Sequence, residues 1–198
     1  SRGLGDVYKR QLVALAFFYA YRNKRKSNIL LETQNYQIET QKKEITDSIM
    51  YAQRIQQAIL PSNQQLESYF PNSFVLYLPK AIVSGDFWWM NSVNSEMQLA
   101  VADCTGHGVP GAFMSMLGVD KLTAIAQSVK KPDEVLAELN RSIKQTLQQV
   151  EENDSDEVRD GMDIAFVKFN REKNNFLFAG ANRPVWIFNE KQVWREQK

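Results

Sequence analysis

"VADCTGHGVPGAF", Val101–Phe113, is where the chain passes from strand to helix. The residues leading into it, "EMQLAVAD", alternate: Met97, Leu99 and Val101 fall on one face, the smaller Ala100 and Ala102 on the other. The strand ends on an acid, Asp103. Gly106 and Gly108 then bracket His107, so the backbone is free to turn sharply. Pro110 stands where a first helical turn begins, and Phe113, Met114, Leu117, Leu122, Ile125 and Ala126 give that helix a broad apolar face.

The neighbouring segments extend the pattern. "SFVLYLP" and "AIVSGDFWWM" are aromatic and β-branched and predict strands, with Trp88 and Trp89 as core. The short "NSVNSE" predicts a hairpin into "EMQLAVAD". Pro132-Asp133-Glu134 opens a second helix, in which Val135, Leu139, Ile143 and Leu147 recur every four residues. An acidic loop, "EENDSDEVRDG", leads to the strands "MDIAFVKF" and "FLFAGA", joined by a turn at "NREKNN", and then to a hairpin, "PVWIFNEKQVW". Strands, two helices, strands is the order of an α+β domain with its helices gathered on a sheet face.

Composition bounds the chemistry. The 198 residues are 43% hydrophobic with a net charge of +1, which supports a packed core and gives no electrostatic reason to expect nucleic acid. One cysteine, Cys104, excludes an internal disulfide and fits a reducing compartment. One histidine and one cysteine exclude a zinc site built from several such ligands. A metal here would be held by oxygen, which favours Mg²⁺ or Mn²⁺.

The N-terminal quarter is different. "SRGLGDVYKRQ", residues 1–11, has no periodicity and reads as a non-native leader. "LVALAFFYAY", Leu12–Tyr21, is ten apolar residues, about 15 Å of helix and half of a bilayer core. "RNKRK", Arg22–Lys26, follows at once, as at the cytoplasmic end of a membrane helix, so residues 12–26 read as the end of a transmembrane helix with a basic stop. The bland alternative is a short amphipathic N-terminal helix. Residues 27–60 lack Gly and Pro. Leu31, Ile38, Ile45, Ala52 and Ile59 recur every seven residues, predicting a signalling helix that pairs with a copy of itself; a solvated helix packed on its own domain is the alternative. Pro61 ends it.

Three acids stand at strand ends or Gly-flanked turns: Asp86, Asp103 and Asp163. Singly, each is at home as an ordinary turn or cap residue, and Asp163 as a partner of the Asp160 loop. Together they suit a hard divalent cation, which needs preplaced oxygen ligands. The backbone carbonyl of Cys104 adds a candidate ligand. The turn Gly106 to Pro110 leads into a helix N-terminus, where amides and dipole favour an anion such as phosphate.

"AILPS", "VSGDFWW", "VADCTGHGVPGAFMSMLG", "DGMDIAF" and "FAGANRPVWI" together resemble the bacterial regulatory branch of the metal-dependent protein serine/threonine phosphatases, the branch that includes stage II sporulation protein E. The resemblance runs from about Ile45 to Phe188. It implies a β-sandwich flanked by helices with two Mn²⁺ or Mg²⁺ ions between the sheets, residues 61–198 supplying the N-terminal part of that domain. By the same resemblance Asp103 bridges the ions, the Cys104 carbonyl assists, and Asp86 orients water or joins the second ion. A water between the ions attacks phosphorus, and His107 protonates the leaving serine oxygen. Gly106, Gly108 and Gly111 shape the turn and bind phosphate, and Asp163 is a supporting residue.

The resemblance further implies a phosphorylated protein substrate such as an anti-sigma-factor antagonist, a homodimer through residues 27–60, and a place at the bacterial inner membrane with the catalytic domain in the cytoplasm. The family carries two further metal aspartates beyond the point where this sequence stops, so a fragment of low activity is expected. The competing reading is a catalytically inactive dimeric docking module with an incomplete metal site. A histidine kinase is disfavoured, because His107 sits on a Gly turn rather than a helix and no Gly-rich ATP lid follows.

Overall fold

The computed structural model describes residues 2–93, 96–129, 131–148, 160–170, 172–188 and 193–197, with side chains placed between 8 and 188. The tip of the first hairpin, most of the acidic loop and the tip of the last hairpin lie outside those residues. The elements are α1 (Arg2–Ile59), α2 (Asn63–Tyr69), β1 (Asp86–Val93), β2 (Glu96–Cys104), α3 (Val109–Ser128), α4 (Pro132–Thr146), β3 (Met162–Asn170), β4 (Asn175–Ala181), β5 (Val185–Phe188) and β6 (Val193–Gln197). They fall into two compact units, Ser1–Ser48 and Ile49–Lys198.

The first unit is helix throughout, and it takes in residues 2–11 as well as the predicted signalling segment. Leu31, Ile38 and Ile45, the early members of the seven-residue repeat, are all more than half exposed. Among the described residues no helix is long and apolar enough to cross a membrane. The boundary between the units falls within α1, after Ser48, so the first unit holds part of the predicted signalling segment.

The second unit is built on a four-stranded antiparallel sheet in the order β1-β2-β3-β4, with β5 and β6 in a separate two-stranded sheet. Helices α3 and α4 cover one face of the larger sheet. Pro110 and Pro132 stand at their first turns as predicted. Between helices and sheet lie Phe87, Trp89, Ala100, Ala102, Met114, Leu122, Val135, Leu139, Ile143, Ile164 and Phe166, the core of the unit. Trp89 stacks on Phe166 with ring centroids 6.2 Å apart. The small face of β2 is the buried one: Ala100 and Ala102 allow α3 to approach closely, while Val101, on the other face, is exposed.

Three expectations need correction. Phe113 is 69% exposed, because the buried stripe of α3 runs through Gly111, Ala112, Met114, Ser115, Gly118 and Leu122 and leaves Phe113 outside it. "SFVLYLP" is extended but pairs with no strand among the described residues. It lines the cavity over the second face of the sheet, with Phe74, Leu76 and Leu78 largely exposed. "AIVSGDFWWM" joins the sheet only from Asp86 onward. Helix α2 is a further element, capped by a reciprocal pair: Gln65 N–H donates to Ser62 Oγ and Ser62 N–H to Gln65 Oε1.

Candidate metal and phosphate site

Register alone assembles the acids. Asp86 on β1 is directly opposite Asp103 on β2, and Asp103 is directly opposite Asp163 on β3. Residues opposite one another in adjacent strands share a face, with Cβ atoms about 4.5–5.5 Å apart. The three aspartates thus form a row across one end of the sheet. Their immediate neighbours Phe87, Ala102 and Ile164 point the other way, into the core.

The turn below this row is held from several sides. Thr105 N–H donates to the Gly161 carbonyl at 3.0 Å, Thr105 Oγ1 donates to Asp160 Oδ1 at 2.8 Å, and Gly161 N–H donates to Thr105 Oγ1 at 3.1 Å. Thr105 thus ties the end of β2 to Asp160 and Gly161. Gly85 and Gly111 are needed for close approach. A Cβ on Gly85 would meet the Gly106 carbonyl oxygen at 2.7 Å and that of Cys104 at 3.2 Å; one on Gly111 would meet the Gly106 carbonyl oxygen at 2.5 Å. Gly106 (φ +84°) and Gly108 (φ +64°) are left-handed, where only glycine is unstrained. Gly108 is the N-cap of α3 and offers no side-chain cap, so the first amides of the helix have no side-chain partner there. His107 is exposed on this turn and makes no hydrogen bond among the described residues.

Electrostatics mark the acid row. The carboxyl of Asp86 is raised above the usual range, first by burial and then by its hydrogen bond with Asp103 and that neighbour's charge, with Arg183 pulling the other way. Burial, with Asp103 and Asp86 adding to it, pushes the Cys104 thiol up to about 12. The Cys104 side chain is buried in the core beside Ala100 and Ala102, which leaves its carbonyl as the candidate ligand. Tyr77 donates to the Asp86 carbonyl at 3.3 Å, and its phenol is raised by burial.

Sequence reading missed Arg183. Its Nη2 donates to Asp103 Oδ2 and lies 3.7 Å from Asp163 Oδ2. Asn182, in a left-handed conformation (φ +57°), donates from Nδ2 to Asp163 Oδ1 at 3.0 Å. Both residues stand in "FAGANRPVWI", one of the stretches that carries the family resemblance, directly after a strand and ahead of Pro184. Asp86, Asp103 and Arg183 stand on the wall of a cavity of about 1200 Å³ on the second sheet face, which is otherwise lined by apolar residues including Trp88, Val101, Val167 and Phe178.

The donor chemistry fits a hard divalent cation. Two carboxylates directly opposite one another on adjacent strands repel when both are ionised, and a cation relieves that repulsion. Asp163 is turned toward Asn182 and Arg183. Among the described residues no group of three or more His, Cys, Asp or Glu side chains is placed to hold an ion.

Comparison with known proteins bears on the same residues. A profile of the family described as stage II sporulation protein E matches residues 94–198. The phosphoserine phosphatase RsbU of Bacillus subtilis (strain 168) is 22% identical over 149 residues, 75% of this chain and 42% of that protein. The SiaA-PP2C domain of Pseudomonas aeruginosa superposes with a TM-score of 0.67 at 32% identity, over 79% of this chain and 61% of that one. The chain spans less than two thirds of the length of either relative.

Proposed function

The chain belongs to the stage II sporulation protein E family and is related to PP2C-type phosphatases, and on that premise we propose that it is a metal-dependent protein phosphatase acting on phosphoserine or phosphothreonine of a bacterial signalling protein. One observation carries the reading: Asp86 and Asp103 face each other in register across adjacent strands, beside a turn lined with glycine.

Asp86, Asp103 and the Cys104 carbonyl would hold Mn²⁺ or Mg²⁺. Bound there, such ions supply Lewis-acid polarisation of a phosphoryl oxygen and a hydroxide equivalent at neutral pH. The remaining work falls to the chain itself. The sheet holds the two carboxylates in register before any ligand arrives, so little ordering is needed on binding. The planar guanidinium of Arg183 matches a phosphoryl group as well as it matches a carboxylate, and from beside Asp103 it can turn to the substrate. The start of α3, which Gly108 leaves without a side-chain cap, suits anionic oxygen in the same way. His107, exposed on the turn, is the candidate donor of a proton to the departing serine oxygen.

In this reading the strands form two layers of a sandwich, residues 27–60 pair with a second copy to cover Leu31, Ile38 and Ile45, and residues 12–26 lie at the inner membrane with the phosphatase unit on the cytoplasmic side. The substrate is a small phosphorylated regulator of the anti-sigma-factor antagonist type. Mn²⁺-dependent release of phosphate from a phosphoserine peptide, lost at least 100-fold in Asp103→Asn and Asp86→Asn, tests the activity. Turnover that ignores Mn²⁺ or survives both substitutions contradicts it.

A second reading, an inactive docking module, draws on the Arg183–Asp103 ion pair, which already neutralises one of the two carboxylates. Failure of Mn²⁺ to bind while the helix still dimerises would favour it.

A further inference from the structure

Arg183 stands between two carboxylates that face each other. Asp103 and Asp163 are directly opposite on β2 and β3. The guanidinium Nη2 donates to Asp103 Oδ2 and lies 3.7 Å from Asp163 Oδ2, within ion-pair distance but too far for a hydrogen bond. Asp163 uses its other oxygen elsewhere: Asn182 Nδ2 donates to Oδ1 at 3.0 Å. That contact holds the carboxylate with Oδ2 turned toward the guanidinium.

The turn that carries Asn182 and Arg183 is fixed by its backbone. Asn182 is left-handed (φ +57°), a region in which asparagine is enriched, and it bridges to Ile164, the chain neighbour of Asp163. Gly180 lies against the Arg183 carbonyl, where a Cβ would meet the oxygen at 2.3 Å. Pro184 restricts the backbone of the arginine before it. A change of partner therefore falls to the flexible, partly exposed side chain of Arg183.

A divalent cation and a guanidinium are of like sign and cannot both hold Asp103 Oδ2, so an ion bound there expels the arginine. Where the arginine goes sets how hard that step is. Nη2 needs to approach Asp163 Oδ2 by only about 0.8 Å to make an ordinary charge-assisted hydrogen bond of ~2.9 Å. After the move every carboxylate of the row has a cation: the ion for Asp86 and Asp103, the guanidinium for Asp163.

We infer that Asp163, steadied by Asn182, is the seat to which Arg183 transfers when a divalent cation takes Asp103. Asp163 thereby raises the metal affinity of the site without ligating the ion, and it keeps the guanidinium at the site for the phosphoryl group. It is a positioning residue for Arg183. This rests on the metal-site reading above.

A double-mutant cycle in the 198-residue chain tests the exchange. Asp163→Asn keeps the shape and the Asn182 contact but offers an N–H₂ where the guanidinium needs an acceptor. Mn²⁺ affinity is read from the electron paramagnetic resonance of free Mn²⁺ in wild type, Asp163→Asn, Arg183→Ala and the double variant. Asp163→Asn is expected to weaken Mn²⁺ binding at least ten-fold when Arg183 is present and no more than about three-fold in the Arg183→Ala chain, a coupling of ordinary size for neighbouring charged groups. Asp163→Ser takes its place in the cycle if Asp163→Asn does not fold. The second readout is the Nε–Hε resonance of Arg183, assigned by its absence from Arg183→Ala. With Mg²⁺ bound, its exchange with water should stay slow in wild type and speed up in Asp163→Asn. Unchanged Mn²⁺ affinity in Asp163→Asn, an equal or larger loss without Arg183, or equally slow exchange in both proteins overturns the inference and leaves the phosphatase reading standing. No Mn²⁺ uptake by any of the four proteins overturns the metal-site reading, and this inference with it.

Discussion

Replacing Gly111 by Ala puts one methyl group into a place beside the site that is walled by backbone. The new Cβ would lie 2.5 Å from the Gly106 carbonyl oxygen, 2.9 Å from the Gly85 Cα and 3.0 Å from the Gly106 carbonyl carbon. Ordinary carbon–oxygen contacts begin near ~3.3 Å, so the turn and α3 must part by about 0.8 Å. All three obstacles are backbone, and no rotamer change clears them. Overpacking of this kind costs ~1–3 kcal/mol, and the absence of an escape route puts Gly111→Ala at the upper end. The better helix propensity of Ala returns up to ~1 kcal/mol. A net loss of ~2 kcal/mol remains, or about 4–8 °C in melting temperature for a unit of this size. The displaced turn carries the Cys104 and Gly106 carbonyls, so Mn²⁺ affinity should fall as well, by ten-fold or more. Gly118→Ala is the matched control: its Cβ would meet side-chain atoms, Met162 Cε at 2.9 Å and Phe87 Cε1 at 2.9 Å, and Met162 can yield. Thermal melts and Mn²⁺ titration of the two variants decide it. A Gly111→Ala protein as stable as wild type, with unchanged Mn²⁺ affinity, would refute the close-packed turn.

Three further outcomes are expected. Glu96 pairs with Lys168 at 2.6 Å, and the Lys168 hydrogen bond holds its carboxyl below the ordinary 4.5. A depressed carboxyl contributes stability above its unfolded pKa and loses it as pH falls through the folded one, so Glu96→Gln should cost up to ~1 kcal/mol at pH 7, limited by the exposure of the carboxylate, and nothing once both forms are protonated; urea melts at pH 7 and pH 3 check this. Cys104, buried and with its thiol pushed up to about 12, should resist iodoacetamide at pH 8 in the folded protein and react on unfolding; stoichiometric labelling of the native chain would contradict its placement. Arg183→Ala should raise Mn²⁺ affinity several-fold by freeing Asp103, and raise KM for a phosphopeptide more than it lowers kcat; weaker Mn²⁺ binding would show that Arg183 supports the site rather than competing for it.

Much of this architecture was legible in order along the chain. Pro110 and Pro132 mark helix starts because proline is preorganised for the first turn, and the alternation of "EMQLAVAD" gives β2. What periodicity cannot show is which face is buried. The larger residues of β2 point away from the helices, because α3 needs the small side chains of Ala100 and Ala102 to come close. Nor does aromatic and β-branched composition by itself mean a ladder, as the stretch 73–79, unpaired among the described residues, shows. The capping box at Ser62 and Gln65 was readable as a serine followed three residues later by a glutamine after Pro61, and it marks α2.

The candidate site divides in the same way. Asp86, Asp103 and the glycines carry local signals, an acid at a strand end and a turn that needs positive φ. Asp163 gained its place only through register, since a one-residue slip of β3 would have put it on the core face. Arg183 reaches Asp103 from 80 residues further along the chain, through a contact that exists only after the sheet has packed. The stretch "FAGANRPVWI" carries the family resemblance without naming Asp103 as its partner.

The decisive experiment is diffraction from crystals grown with Mn²⁺, using its anomalous scattering. A peak bound by the carboxylates of Asp86 and Asp103, with the Arg183 guanidinium moved off Asp103, is the expected result. Anomalous density elsewhere on the surface, with the Arg183–Asp103 pair intact and nothing between the two acids, would contradict the metal site and the activity proposed from it.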